Sequence, residues 1–562
     1  MRSEREAGFI AAAALLASAG AVLFLKLWDA DLRVPLSFYS GDGTLNLALI
    51  KDAMEHTWFY ENPDLGAPHK QLLYDYPVLS GDGLHVVLFR LGGLFTDDPA
   101  LVMNLFFLLT FPLTAVTAYL VLRRLAVGRD VALVVALLYT LLPYHFIRGE
   151  THLFLAAYYA VPVGAYLALS VLDGRVRIGL GVGALAALVA LASGSFYYSA
   201  FTVLLVAVAA VLRFLETRER RALAAGGFVV GVILAVSLVQ LSPTIVYRIK
   251  HGTNDEVAQR YWFESDNYGL KITQLLLPVD GHRIDALADR KAEYRQQIPQ
   301  NEGSSATLGV VGAVGFLWLL AVAVAAVVGV GRSRELETHR SLAALTVVAV
   351  LVGTTGGLST LIAVAWPQIR AWNRLSVFIA FFALAAIALL LERLRRRIPP
   401  AAFLVVLAGI LALGAADQTT AAFVPPYADV KAKYRADARS IRSLEARLPE
   451  RAAVVQLPYE PFPEPTPGLQ DLYEPAKPYI HSSDLRWSWG AMRGRPDDWA
   501  ARYATKPAAE LVPAARKAGF AEILVDRLAY PDQGAAAEAD LRGVLGPAPE
   551  SSPDGRYLFW RL

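Results

Sequence analysis

Apolar blocks of about 18 to 24 residues recur along this 562-residue chain, each long enough at about 1.5 Å per residue to cross a hydrocarbon core about 30 Å thick. They lie near residues 8–28, 100–122, 130–147, 153–172, 177–193, 196–214, 223–247, 306–330, 341–364, 373–392 and 400–416. The pattern predicts a mainly α, polytopic membrane protein with about eleven transmembrane helices. The first block follows Met1-Arg-Ser-Glu-Arg5 and has no small-residue cleavage site, so it reads as an anchor rather than a signal peptide.

Only 18% of the residues are charged and the net charge is +3, against about 25% charged in a soluble domain. A soluble enzyme, a disordered chain and a nucleic-acid binder are therefore disfavoured together, and what matters is where the basic residues sit. They alternate. Arg123, Arg124 and Arg129, then Arg175 and Arg177, then Arg213, Arg218, Arg220 and Arg221, then Arg332, Arg334 and Arg340, then Arg393 and Arg395 to Arg397 occupy every second connection. The positive-inside rule makes that set cytoplasmic, with the amino terminus inside and the carboxyl terminus outside. A multi-pass protein of the bacterial inner membrane is the expectation. With no cysteine in the chain, disulfides, thiolate catalysis and Cys-based metal sites are excluded.

Three segments are too polar to span, and all three fall on the outer side: a first loop at 29–99, a second at 248–305, and the tail. The expected division is a transmembrane domain over 1–416 and a small extracytoplasmic α/β domain over 417–562. The tail opens with a charged helix, Tyr427 to Leu448, followed by strands at Ala452 to Pro458, Glu522 to Asp526 and Tyr557 to Leu562, and a helix from Pro507 to Gly519. Pro461, Pro463, Pro465 and Pro467 form a stiff extended loop.

The chemistry-bearing residues gather at the outer boundary. Ser40-Gly-Asp-Gly43 precedes Leu47, Ile50, Met54 and Trp58, a stripe that suits a helix lying flat on the membrane with Asp42 at its start. The tetrapeptide recurs as Ser80-Gly-Asp-Gly83, bringing Asp82, and Tyr74-Asp-Tyr-Pro77 between them brings Asp75. Gly-Asp-Gly also serves as a plain turn or helix cap. Tyr144-His-Phe-Ile-Arg-Gly-Glu-Thr-His152 places His145, Arg148, Glu150 and His152 at the end of one span, where ionisable groups are costly unless they are paired or functional; the plain account has Arg148 snorkelling and pairing with Glu150. Trp366-Pro-Gln-Ile-Arg-Ala-Trp-Asn-Arg374 offers Arg370 and Arg374 as a phosphate clamp or an interfacial belt. The second loop adds His251, Arg260, Tyr261, Trp262, Glu264, Asp266, Tyr268 and Lys271, an unspecific mixture usual in carbohydrate sites. The spacing of His145 and His152 fits no tight metal motif, and no metal set can be read.

In this pattern the chain resembles the GT-C membrane glycosyltransferases that use polyprenyl-phosphate-linked sugars, among them oligosaccharyltransferases, protein mannosyltransferases and aminoarabinose transferases. The resemblance rests on the cytoplasmic amino terminus, the long first outer loop with an early acid, the span count and the outer tail. Gly41-Asp42-Gly43, Leu65-Gly-Ala-Pro68, Tyr74-Asp-Tyr-Pro77, Pro143-Tyr-His-Phe146, His152-Leu-Phe-Leu155 and Arg370 to Arg374 resemble motifs of large bacterial families of that class. It implies that Asp42 is the catalytic acid of the first loop. It implies a polyprenyl-phosphate sugar donor, a glycan or lipid acceptor, inverting transfer on the outer face, and room for a divalent cation. Asp75, Asp82, His145, Arg148, Glu150, His152, Arg370 and Arg374 are the expected substrate-binding residues. The acid is not part of an Asp-Glu pair and the tail has no Trp-Trp-Asp motif, so neither an oligosaccharide donor nor a protein acceptor follows. The competing readings are a lipid-linked sugar flippase, which requires charges near mid-membrane, and a non-catalytic scaffold.

Overall fold

The structure is a computed structural model and describes residues 2–299, 301–329, 336–465, 471–546 and 550–562. Arg332, Arg334 and Pro467 lie outside the described residues. Among those described, nine helices are long and apolar enough to cross a membrane, from Glu4–Leu25 to Pro400–Gln418. The two other expected spans are shorter helices, Leu180–Leu191 and Glu337–Gly353. The reason is local in the first case. Leu180–Leu191 stops because Gly194, Ser195 and Phe196 all take positive φ, a turn that the buried Asp82 carboxylate holds by accepting hydrogen bonds from Gly194 N at 3.0 Å and Ser195 N at 2.7 Å.

Small residues let the helices approach closely. Ala13, Ala17 and Ala21, one turn apart, are buried on the first helix. Gly315 packs so tightly on Ser376–Arg395 that a Cβ there would meet the Ala383 carbonyl oxygen at 2.2 Å. The central helices Leu153–Leu172 and Trp372–Arg395 are mostly buried, while Glu4–Leu25 and Pro400–Gln418 are mostly open to lipid. Ion pairs mark one end of the bundle: Glu6 binds Arg123 at 2.9 Å and Arg129 at 2.7 Å, and Arg395 binds Asp130. The arginines assigned to one side by alternation thus meet in space.

The first loop departs from expectation. Helix Gly41–Glu55 is buried from Gly43 to Ala53 and Trp58 lies beyond its end, so it does not lie flat on the surface. Part of the tail covers it: the Lys51 ammonium stands 5.1 Å over the ring of Tyr479, which belongs to helix Ala476–His481. The exposed apolar residues of this loop include Val87, Leu91, Leu94 and Phe95, on and just past helix Gly83–Gly93.

Two strands, β1 (Glu61–Asn62) and β2 (Gln71–Leu72), form a hairpin in the first loop. The tail carries β3 (Ala453–Leu457), β4 (Arg486–Trp487), β5 (Phe520–Asp526), β6 (Glu550–Ser551) and β7 (Tyr557–Arg561) in the order β4-β3-β5-β7-β6. β3 is parallel to β4 and β5, and β7 is antiparallel to β5 and β6. Residues 64–67 run along the free edge of β4: Trp487 N donates to Asp64 O at 2.8 Å, Ala67 N to Trp487 O at 2.9 Å and Gly66 N to Trp489 O at 2.8 Å. The first loop therefore completes the tail's sheet.

Candidate functional site

Asp42 stands in the first turn of helix Gly41–Glu55, after an extended Ser40 and a Gly41 at φ +57°. That turn is bound to the segment after the Arg129–Arg148 span. The buried Glu150 carboxylate accepts from Ser37 N at 2.9 Å and Ser37 Oγ at 3.2 Å. Asn46 Nδ2 donates to the carbonyls of Glu150 at 2.9 Å and Thr151 at 3.2 Å. These ties bring Asp42 Oδ2 to 3.8 Å from His152 Nε2.

Glu302, in the short turn Glu302–Ala306 just before the Gly309–Val327 span, closes the site from the second loop. Its carboxylate is 2.9 Å from Arg148 Nη1 and 3.1 Å from Arg374 Nη2. Arg148 lies over Tyr144 at 5.2 Å and Arg374 over Tyr197 at 4.1 Å, so aromatic faces hold both cations. Nε of each arginine is buried with no hydrogen-bond acceptor. Arg370 is held by Glu264 at 2.8 Å and stacks over Tyr268 at 5.0 Å.

Burial raises the Asp42 carboxyl above the usual carboxylate range, and Glu302 adds to this against Arg374 and Arg370. Burial, with Arg148 beside it, lowers His152 to about 3, so its imidazole is neutral at physiological pH. Burial alone would raise Glu302, yet Arg374 and Arg148 hold it well below the usual range. Glu150, whose burial outweighs its bonds to Ser37, rises to about 7. Burial pushes up the phenols of Tyr76 and the tail's Tyr473, and the Asp42 charge adds to both. Beside this site a cavity of about 870 Å³ opens between residues 37–40 and the tail, with Asp437, Glu474, Lys477 and Arg556 in its wall.

Of the residues singled out in the sequence, Asp42, Arg148, His152 and Arg374 converge on Glu302, with Arg370 alongside. Four do not converge. Asp75 is buried and takes a two-pronged bond from Arg495, Nε at 2.6 Å and Nη2 at 2.8 Å, which ties the first loop to the tail. Asp82 holds the turn at Gly194 and lies 3.2 Å from His85 Nδ1. His145 is a core residue, stacked on Phe111 at 3.7 Å and bonded to Thr110 Oγ1 at 2.8 Å. Glu150 is behind the site and binds Ser37, so the expected Arg148–Glu150 pair is replaced by Arg148–Glu302.

Sequence reasoning missed Glu302. The argument that raised Asp42, an acid within a few residues of an outer membrane boundary, applies equally to Asn301-Glu-Gly303, which comes immediately before a span.

A family model described as "Domain of unknown function (DUF6311)" matches residues 84–419, more than half of the chain. No curated protein matches the chain. Among solved structures, ArnT from Cupriavidus metallidurans bound to undecaprenyl phosphate is similar over 100% of this chain and 98% of its own, with 12% identity and a TM-score of 0.52. The apo oligosaccharyltransferase of Archaeoglobus fulgidus is similar over 98% of this chain and 74% of its own, with 13% identity and a TM-score of 0.45.

Proposed function

From the membership of this chain in the DUF6311 family and its GT-C fold, we propose that it moves one sugar from a polyprenyl-phosphate donor to a glycan or lipid acceptor, with inversion, at the extracytoplasmic face of a bacterial inner membrane. The observation that carries this reading is the meeting of a partly exposed carboxylate, Asp42, with His152 beside the Arg148–Glu302–Arg374 cluster at one end of the bundle.

Asp42 serves as the base. It takes the proton of an acceptor hydroxyl as that oxygen bonds to the anomeric carbon. The bond from that carbon to the phosphate oxygen breaks on the opposite face, and the phosphate leaves with the electron pair. A base of raised basicity holds the transferred proton better, and such a group contributes about 10² to 10⁴ in rate. Arg148, Arg374 and Arg370 neutralise the departing phosphate.

Asp42 Oδ2 and His152 Nε2, 3.8 Å apart, do not suit a divalent cation while Asp42 is the base, because a carboxylate bound to an ion is a poor proton acceptor. A transporter reading requires charges along the spans. Among the described residues, the only buried Asp, Glu, Lys or Arg side chains in the nine spans are Arg148 and Arg374, both at span ends.

The test is sugar transfer from a polyprenyl-phosphate donor by purified wild type and Asp42→Asn in lipid nanodiscs. The substitution keeps size and removes charge, so turnover should fall by about 10² or more while thermal stability stays near wild type. Equal turnover overturns the assignment.

A further inference from the structure

The far end of helix Gly41–Glu55, about 20 Å along the helix from Asp42, carries a cluster of carboxylates and an imidazole that the transfer reaction does not use. Glu55, His56 and Asp64 each place one ligand atom within 4.8 Å of the others. His56 Nε2 lies 3.2 Å from Asp64 Oδ2 and 3.9 Å from Asp52 Oδ1. Asp52 is 1% exposed, and neither of its carboxylate oxygens accepts a hydrogen bond, nor does His56 Nε2 have a hydrogen-bond partner.

We propose that Asp52, Glu55, His56 and Asp64 form a binding site for one divalent cation of the Zn²⁺ or Mn²⁺ type, which staples the end of the first-loop helix to the segment that completes the tail's sheet. One imidazole nitrogen with several carboxylates is the donor set of such borderline ions. Tetrahedral ligands of an ion bound at about 2.1 Å stand about 3.4 Å apart, so ligand atoms within 4.8 Å of one another meet an ion after side-chain shifts of about 1 Å. Lys51 pairs with Glu55, Arg451 lies 2.7 Å from Asp64, and Arg90 bonds the carbonyl of the adjoining Thr57. Asp52, buried beside them, is the carboxylate left without a hydrogen-bond partner, and an unpartnered buried polar group is costly. Glu55 is exposed and His56 half-buried, so an ion has a path in from the outer face.

The site lies on a seam. Asp64 O accepts from Trp487 N of β4 at 2.8 Å, and Lys51 stands over Tyr479 of the tail. An ion at this position fastens the helix end to residues 64–67, on which β4 of the tail pairs, without touching Asp42 or His152, and the inference does not rest on the proposed reaction.

The full chain, stripped with EDTA and reconstituted in detergent, is titrated with ZnCl₂ and with MnCl₂, and retained metal is counted after desalting while thermal unfolding is followed. Wild type and His152→Gln should both retain about one equivalent of one of the two ions and gain about 3 °C or more in Tm at saturation. His56→Gln should lose both effects. Asp52→Asn separates the proposal from a metal-free ion-pair cluster. If the buried acid awaits an ion, the substitution raises the Tm of the stripped protein and abolishes the metal-induced gain; if Asp52 pairs with a protonated His56, it lowers the Tm of the stripped protein. No retained metal in wild type, retention that disappears in His152→Gln but persists in His56→Gln, or a lowered Tm for stripped Asp52→Asn overturns the proposal.

Discussion

The carboxylate of Asp42 lies 3.8 Å from the Nε2 of His152, although one comes from the first outer loop and the other from the connection after the Arg129–Arg148 span. The contact exists because Glu150 and Asn46 tie the two segments together through Ser37 and the carbonyls of residues 150 and 151.

Glu302 raises the Asp42 carboxyl, after burial. A base must be deprotonated to act, so activity should fall with decreasing pH through an apparent pKa above the ordinary aspartate value of about 3.9. Glu302→Gln removes the like charge and leaves Arg374 and Arg370 to act on Asp42 unopposed. The acid limb of kcat/KM should then shift to lower pH. A pH profile of both proteins checks this, and an unmoved limb would remove Asp42 as the titrating group.

Arg374→Gln and Arg148→Gln should weaken binding of a polyprenyl-phosphate donor, with charge-assisted bonds worth about 1.5 to 3 kcal/mol at stake, or roughly 10- to 150-fold in Kd. Isothermal titration with undecaprenyl phosphate measures it. Unchanged affinity in both variants returns these arginines to an anchoring role.

The Asp75–Arg495 pair is a stability element. Asp75 is 2% exposed, and breaking a buried pair by removing one partner costs about 3 to 5 kcal/mol. Asp75→Asn should lower the Tm by several degrees, and Asp75→Asn with Arg495→Met should recover part of the loss because no unpaired charge remains. Thermal unfolding of the two variants decides it; a Tm equal to wild type for the single variant refutes it.

Topology follows from the arginine alternation together with the Glu6–Arg123–Arg129 contacts at one end of the bundle. A reporter fused after Arg397 should read cytoplasmic and one fused after Leu562 external. A tail found inside would place the Asp42 cluster on the wrong face for an extracytoplasmic acceptor.

Membrane residence, most spans and three of the tail's five described strands were legible in the sequence. Each is written in a local quantity: apolar length, alternation of basic residues, or a short periodic run. Partnership was not legible. Arg148 could reach Glu150 by spacing, but folding gave it Glu302; Asp82 looked like a substrate ligand because it repeats the Gly-Asp-Gly of Asp42, and Asp75 because it lies in the aromatic loop between the two, but folding gave them the Gly194 turn and Arg495. The apolar stripe of helix Gly41–Glu55 suggested a membrane surface, yet the tail covers the helix instead. Which charges meet is a matter of a few ångströms between segments far apart in the chain, and the energy of an ion pair in a low-dielectric interior depends steeply on that distance and on burial. Packing of the helices and docking of the tail set those distances, so tertiary structure alone decided which acids belong to the site and which hold the fold.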